Sequence, residues 1–385
     1  MPRTLFLLVC LLLTAAPLQA QDTPLVGPLL AATSAEQDRI ILYDIGGGTQ
    51  RELTFGDGWH EVWDFSPDGC RIAFTLSAGS APAQLYTARI DGTDRRRLVQ
   101  YDELPAGEWG VWEPRWSPDG SRIVFTMLRT GSGNPARPYQ HHIAWVSPEG
   151  GVPGFYSMTG DEYEPQWSPD GQWLVYISYT ERVPGADLFS TAEPTTTPVT
   201  SLLYEADLWV VSAGGETKYR LTDFPTGSVR APRWSPDGAL IGFTYAPSGN
   251  NDTLWMTAYQ QGAIPTQLSF NWALVLDTTW LPNSAGLISS IRDFQGVSEN
   301  LLWQVPLVGN ADIGAVRYIN DPALGYADYP RFSADGRYLA LRSSYSLAVV
   351  DTVAGTWWLA DDTALGNTPP VWSPAGFLGE AGCPL

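Results

Sequence analysis

The sequence predicts an all-β fold, a seven-bladed β-propeller closed by a blade shared between the N- and C-termini. Three observations predict it: a turn motif that recurs along the chain, an alternating strand after each copy, and complementary half-repeats at the two ends. The strict copies are Phe65 before Ser66-Pro67-Asp68-Gly69, Trp116 before Ser117-Pro118-Asp119-Gly120, Trp167 before Ser168-Pro169-Asp170-Gly171, and Trp234 before Ser235-Pro236-Asp237-Gly238. Drifted copies follow at Trp280, Phe332 and Trp372. Neighbouring motif aromatics stand 51, 51, 67, 46, 52 and 40 residues apart, too far for helical hairpin repeats and right for one blade each.

Each element has a local cause. Proline presets φ for a type I turn, aspartate bonds its own backbone, and glycine takes the left-handed conformation that closes the hairpin. The strand after the turn alternates, as in Arg71-Ile72-Ala73-Phe74-Thr75 and Arg122-Ile123-Val124-Phe125-Thr126. A second half-repeat of strand, turn and strand completes the unit at Gln84 to Leu98, His142 to Tyr156, Asp207 to Leu221, Thr253 to Leu268, Leu301 to Tyr318 and Leu347 to Leu359. Four strands per unit make a propeller blade. Residues 39–54 read as a second half-repeat with no turn motif before it, and Pro370-Val371-Trp372 with its turn reads as a first half-repeat with no partner after it. Together they supply the shared blade, which removes two sheet edges. Proline recurs two residues before the aromatic, at Pro114, Pro165, Pro232, Pro330 and Pro370. It cannot donate to a ladder, which places this strand at the sheet edge facing the channel.

Residues 1–20 read as an export signal: Arg3, an apolar core from Leu5 to Leu13, and Pro17-Leu18-Gln19-Ala20 as a cleavage site. That core is too short to span a membrane, and Cys10 lies inside it after bulky Val9, which disfavours a lipid anchor. Residues 21–385 then form one propeller domain with an exposed insertion at 182–203, in the periplasm or outside the cell. Two cysteines remain in that oxidising setting. Ring closure brings Cys70 and Cys383 into adjacent blades, and a disulfide between them is expected. The formal charge of −19 disfavours nucleic acid and anionic lipid surfaces as partners.

The acids are placed unevenly. Three to four residues before the motif aromatics stand Glu61, Glu113, Glu164, Arg230, Asp277 and Asp328, with Trp112 and Tyr163 beside them. They begin the innermost strands and are expected to ring one channel mouth, a partly acidic, partly aromatic funnel suited to a peptide, protein or glycan ligand, or else a solvated rim. No cofactor and no metal site is expected. His60, His141 and His142 are the three histidines, and adjacent histidines on a strand face opposite ways. Gly131-Ser132-Gly133 lacks the strand-to-helix setting of a phosphate loop, and Asp91-Gly92-Thr93-Asp94 serves a hairpin turn.

The repeat resembles that of the TolB-like propellers, in which an aromatic residue, Ser-Pro-Asp-Gly and an apolar strand ending in Phe-Thr or Tyr recur. The resemblance covers nearly the whole chain after residue 20 and implies a periplasmic or extracellular binding platform. TolB itself carries an additional N-terminal α/β domain, for which the residues before 35 leave no room, so a role in the Tol assembly is not implied. Similar repeats gate prolyl-oligopeptidase-type enzymes, but the Gly-x-Ser-x-Gly elbow of their hydrolase domain is missing here. Oligogalacturonate lyases, similar only through the repeat, ligate metal with several histidines. The leading expectation is non-catalytic binding at the acidic mouth. The alternatives are a carboxylate-dependent hydrolase or lyase acting on oligosaccharides there, since Glu162 and Glu164 share a strand face, and a scaffold in an envelope assembly.

Overall fold

The computed structural model describes residues 23–130, 139–157, 161–182, 203–247, 252–268, 273–293, 300–307, 316–319, 321–344, 346–364, 366 and 368–384. The export segment at 1–20, residues 183–202 of the insertion, and Gly131-Ser132-Gly133 lie outside the described residues. The strands are β1 (Leu29–Thr33), β2 (Ile40–Asp44), β3 (Thr49–Leu53), β4 (Trp59–Phe65), β5 (Arg71–Ser77), β6 (Gln84–Arg89), β7 (Arg96–Arg97), β8 (Glu108–Trp116), β9 (Ile123–Thr130), β10 (Tyr139–Val146), β11 (Gly154–Phe155), β12 (Asp161–Trp167), β13 (Trp173–Arg182) and β14 (Leu203–Ser212). They continue with β15 (Lys218–Arg220), β16 (Ser228–Trp234), β17 (Leu240–Ala246), β18 (Thr253–Ala258), β19 (Thr266–Gln267), β20 (Ala273–Trp280), β21 (Gly286–Asp293), β22 (Asn300–Pro306), β23 (Val316–Arg317), β24 (Ala327–Phe332), β25 (Tyr338–Ser343), β26 (Ser346–Asp351), β27 (Thr356–Ala364) and β28 (Val371–Trp372).

Five separate four-stranded blades stand among these: β28-β1-β2-β3, β4 to β7, β8 to β11, β20 to β23, and β24 to β27. This corrects the expectation of seven separate blades. Strands β12 to β19 form one eight-stranded sheet, because β14 pairs in parallel with β16 at Ala206 and Ser228. The cause is strand length. β14 has 10 residues and its neighbour β15 only 3, so β14 overruns it. The Ala206 N–H, beyond the reach of β15, donates to the Gly227 carbonyl at 3.3 Å. The strands before the turn motifs touch in succession, β4 to β8, β12, β16, β20, β24, β28 and back to β4, and enclose the channel.

The shared sheet is also divided differently from the expected two strands per end. The N-terminal part supplies β1, β2 and β3, and the C-terminal part only β28, whose Trp372 and Val371 pair with Leu30 and Ala31. β1 escapes the alternation test because Leu29-Leu30-Ala31-Ala32-Thr33 is buried on both faces. Its attachment copies the motif turn. In a strict copy the Ser117 N–H donates to the Arg122 carbonyl at 2.8 Å and the Arg122 N–H to Ser117 Oγ at 2.9 Å. Across the two ends, the Ser373 N–H donates to the Leu29 carbonyl at 2.8 Å and the Leu29 N–H to Ser373 Oγ at 3.0 Å.

The core lies between adjacent sheets: Leu29, Ile40 and Leu42 meet Val62, Phe65, Ile72 and Phe74, and Ala73 and Leu85 meet Val111, Trp116 and Phe125. The motif tryptophans add a polar staple, since the indole N–H of Trp234, Trp280 and Trp372 donates to the carbonyls of Gln166, Arg233 and Arg331 on the preceding inner strand, at 3.2, 2.9 and 2.8 Å. Cys70 and Cys383 are joined, with S–S 2.01 Å and Cα–Cα 5.5 Å. Beside them Arg51 Nη1 meets Glu380 Oε1 at 2.7 Å, which ties the C-terminal tail to β3.

Candidate binding site

Proline shapes the channel wall. Each of the inner strands β4, β8, β12, β16, β20 and β24 carries a bulge. At Pro114, Pro165, Pro232 and Pro330, which have no N–H to donate, register resumes at Arg115, Gln166, Arg233 and Arg331, and β4 and β20 bulge without a proline, before Asp64 and Asp277. The recurrent proline therefore marks a bulge within the inner strand as well as its place at the sheet edge. The residue before each proline takes a left-handed backbone, with φ of 53° at Glu113 and Glu164, 50° at Ala231 and 51° at Tyr329. This conformation is rare outside glycine, asparagine and aspartate.

The bulges on β8 and β12 bring Glu113 and Glu164 into one cavity of about 460 Å3 at the strand-start mouth, where Trp112, Tyr163 and Arg230 also line it. Five of the eight predicted ligand-binding residues thus converge, from three consecutive inner strands. Glu61 lies beside this group: its carboxylate accepts from Thr75 Oγ1 at 3.3 Å and feels the charge of Glu113. Asp277 and Asp328 do not join it. Both are buried and engaged in ion pairs, Asp277 with Arg331 at 2.8 Å and Asp328 with Arg342 at 2.7 Å. Arg230 is exposed and pairs with Asp252 at 3.5 Å.

The sequence reading missed Trp63, His141 and Tyr179, which complete the aromatic lining. The His141 ring sits 4.3 Å from that of Tyr163 and 6.4 Å from that of Trp112, and the Tyr163 ring meets Tyr179 edge-on at 5.4 Å. His142 faces away and packs against Phe155. Tyr179 and His141 come from the second and third strands of their sheets, so no offset from the motif points to them. Among the described residues no group of three or more His, Cys, Asp or Glu is arranged to hold a metal ion.

Electrostatics separate the acids. Burial raises the pKa of Glu164 to about 7, and the neighbouring Glu113 carboxylate adds to the rise against Arg233 and the Ala231 N–H, which donates to Glu164 Oε2 at 2.8 Å. Burial also raises Glu113, opposed by Arg115 and Arg233, and raises Glu61, opposed by its bond with Thr75. Near neutral pH the Glu113–Glu164 pair shares protons more readily than two free carboxylates. The mouth thus offers aromatic faces, hydrogen-bonding carboxyl groups and one exposed guanidinium.

No family model matches the chain. Dipeptidyl-peptidase 5 of Porphyromonas gingivalis is 22% identical over 289 residues, covering 71% of this chain and 36% of that protein. The chain spans less than half the length of the curated relatives it matches. Among solved structures, puromycin hydrolase is similar at a TM-score of 0.60 and 13% identity, over 92% of this chain and 56% of that one. Oligogalacturonate lyase in complex with manganese is similar at 0.56 and 13% identity, over 87% and 85%. TolB from Acinetobacter baumannii is similar at 0.48 and 15% identity, over 90% and 66%, a level that carries no argument. At these identities the likeness shows the fold alone, a β-propeller, which the chain shares with that hydrolase and that lyase.

Proposed function

We infer that the chain is a non-catalytic binding propeller that holds a peptide, protein or glycan segment at the strand-start mouth. One observation carries this reading: Trp112, Glu113, Tyr163, Glu164 and Arg230, from three consecutive inner strands, line a single open cavity. Aromatic faces beside carboxyl groups favour a cationic side chain or a sugar ring, because ring faces attract cations and stack on apolar sugar surfaces while the acids accept hydrogen bonds. The export-like residues 1–20 support a periplasmic or extracellular setting, and no helix among the described residues is long and apolar enough to cross a membrane. The test is capture from an extract of the native host. Trp112→Ala and Arg230→Ala are expected to weaken capture at least about tenfold, as truncating an interface anchor does, with little change in melting temperature. Undiminished capture by both variants removes this mouth as the site.

A second reading, a carboxylate-dependent hydrolase or lyase acting on oligosaccharides, is favoured by the Glu113–Glu164 pair, in which burial raises both carboxyl groups, Glu164 to about 7, the direction an acid catalyst requires. The relatives named as a peptidase, a hydrolase and a lyase keep it in view. Turnover on a panel of oligosaccharides and esters that is lost in Glu164→Gln establishes it, and no turnover on any of them discards it.

A further inference from the structure

The opposite mouth, on the face of the motif turns, has the reverse character. Its cavity of about 480 Å3 is bordered by three arginines that stand immediately before motif aromatics, Arg115 on β8, Arg233 on β16 and Arg331 on β24. Arg331 is committed to Asp277 at 2.8 Å. Arg115 and Arg233 form no ion pair among the described residues, and their bonds run to main-chain carbonyls of neighbouring inner-strand residues. Burial depresses the pKa of Arg115 and of Arg331, opposed by the charges of Asp64, Glu113 and Glu164 at Arg115 and of Asp277 at Arg331. The charge of Arg233 adds to both depressions, so the guanidinium groups feel one another as well as the channel's carboxylates.

A second observation is independent of the charges. Trp116 and Trp167 border the same cavity, and their indole N–H groups are buried without a partner among the described residues, although Trp234, Trp280 and Trp372 all use theirs as staples. Buried donors without acceptors are costly, and here they stand beside two arginines that make no direct ion pair among the described residues. Among the residues that border the cavity Asp64 is the one carboxylate against three arginines, and its tryptophan and proline walls are apolar.

We propose that this turn-face cavity binds a carboxylate-bearing ligand with an apolar or aromatic body, with Arg115 and Arg233 holding the anionic group and the motif tryptophans and prolines packing the body. A planar carboxylate suits guanidinium donors. A single negative charge suits the site better than a dianion, because Asp64 borders the cavity, Asp277 offsets Arg331, and the whole chain carries −19. The free C-terminus of a peptide and a small aromatic acid share this chemistry. The site opens on the turn face, but Trp63 borders both cavities and the charges of Arg115 and Arg233 reach Glu113 and Glu164, so the acid–amide contrast on the unaltered protein is the arm that tests it apart from the mouth discussed above.

The experiment titrates the protein's tryptophan emission with three probes at millimolar concentration: benzoate, Gly-Gly-Phe with a free C-terminus, and its C-terminal amide. Saturable binding of the acids is expected, with the amide at least about tenfold weaker, the loss of a charge-assisted bond. Arg233→Gln and Arg115→Gln are each expected to weaken the acids by a similar factor, while Arg97→Gln, an exposed cation far from the channel, leaves them unchanged. A stronger response to the peptide than to benzoate assigns a chain terminus, and the reverse assigns a small acid; both support the site. Equal binding of acid and amide, no binding of any probe, or wild-type affinity in both channel variants overturns it. If the glutamine variants fail to fold, Arg233→Lys and the acid–amide contrast on the unaltered protein decide.

Discussion

Glu164 sits in a left-handed backbone at the bulge of β12, immediately before Pro165, and its carboxylate accepts the Ala231 N–H. Its pKa of about 7 has a consequence for stability. An unfolded glutamate releases its proton at a lower pH than the folded one, so stability falls as pH rises from the ordinary glutamate range to about 7 and is level above it. Glu164→Gln keeps an oxygen for Ala231 and removes the titration. The variant is expected to match the wild type at about pH 4 and to exceed it by about 1–3 kcal/mol at about pH 8, one pKa unit being worth about 1.4 kcal/mol. Thermal melts across that range check the difference, and a constant offset contradicts the assignment. Subtraction matters because buried His60 and His142, with lowered pKa values, pull the opposite way as pH falls below 6.5. Glu113 and Glu164 were legible because their offset from the motif repeats. Asp277 shares that offset and Asp328 stands one residue earlier, but neither shares that fate, since Arg331 and Arg342 claim them and nothing local in the sequence announces either pairing.

At the scale of elements, the motif aromatic does two jobs that the sequence shows as one. It packs between sheets, and where it is tryptophan its N–H can staple the inner strand before it. Trp116 and Trp372 are each 8% exposed, but only Trp372 uses its N–H, donating to the Arg331 carbonyl at 2.8 Å. Replacing each by phenylalanine deletes comparable surface and only one hydrogen bond. Trp372→Phe is therefore expected to cost about 1 kcal/mol more than Trp116→Phe in urea unfolding. Equal costs mean the staple contributes nothing net. Turns and second strands were the most legible elements, because serine and aspartate close the same bonds each time: Ser117 Oγ donates to Asp119 at 2.6 Å, and Ser333 Oγ to Asp335 at 2.6 Å. β1 was not, because a strand buried on both faces has no alternation to read. The joining of β12 to β19 was not either, because it rests on one residue pair, Ala206 with Ser228, from a strand longer than its neighbour.

For the whole molecule, closure is the weak point of a ring whose ends are not covalently continuous. β28 offers only two paired residues to β1, too short a ladder to hold the C-terminal tail alone. Three further contacts secure it: the Cys70–Cys383 bond across a separation of 313 residues, the Arg51–Glu380 ion pair, and the Leu25 N–H donated to Glu380 Oε2 at 2.8 Å. A cross-link over so long a loop chiefly restricts the unfolded chain, and its removal costs about 2–5 kcal/mol in ordinary experience. The Cys70→Ser, Cys383→Ser double variant is expected to lose that much in denaturant unfolding. It is also expected to open first at the shared sheet, where the amides of β1 exchange with solvent faster than those of β9, which is paired on both sides within its own blade. A double variant that unfolds at the wild-type midpoint with unchanged exchange along β1 shows that the sheet pairing and Glu380 close the ring without the sulfur link.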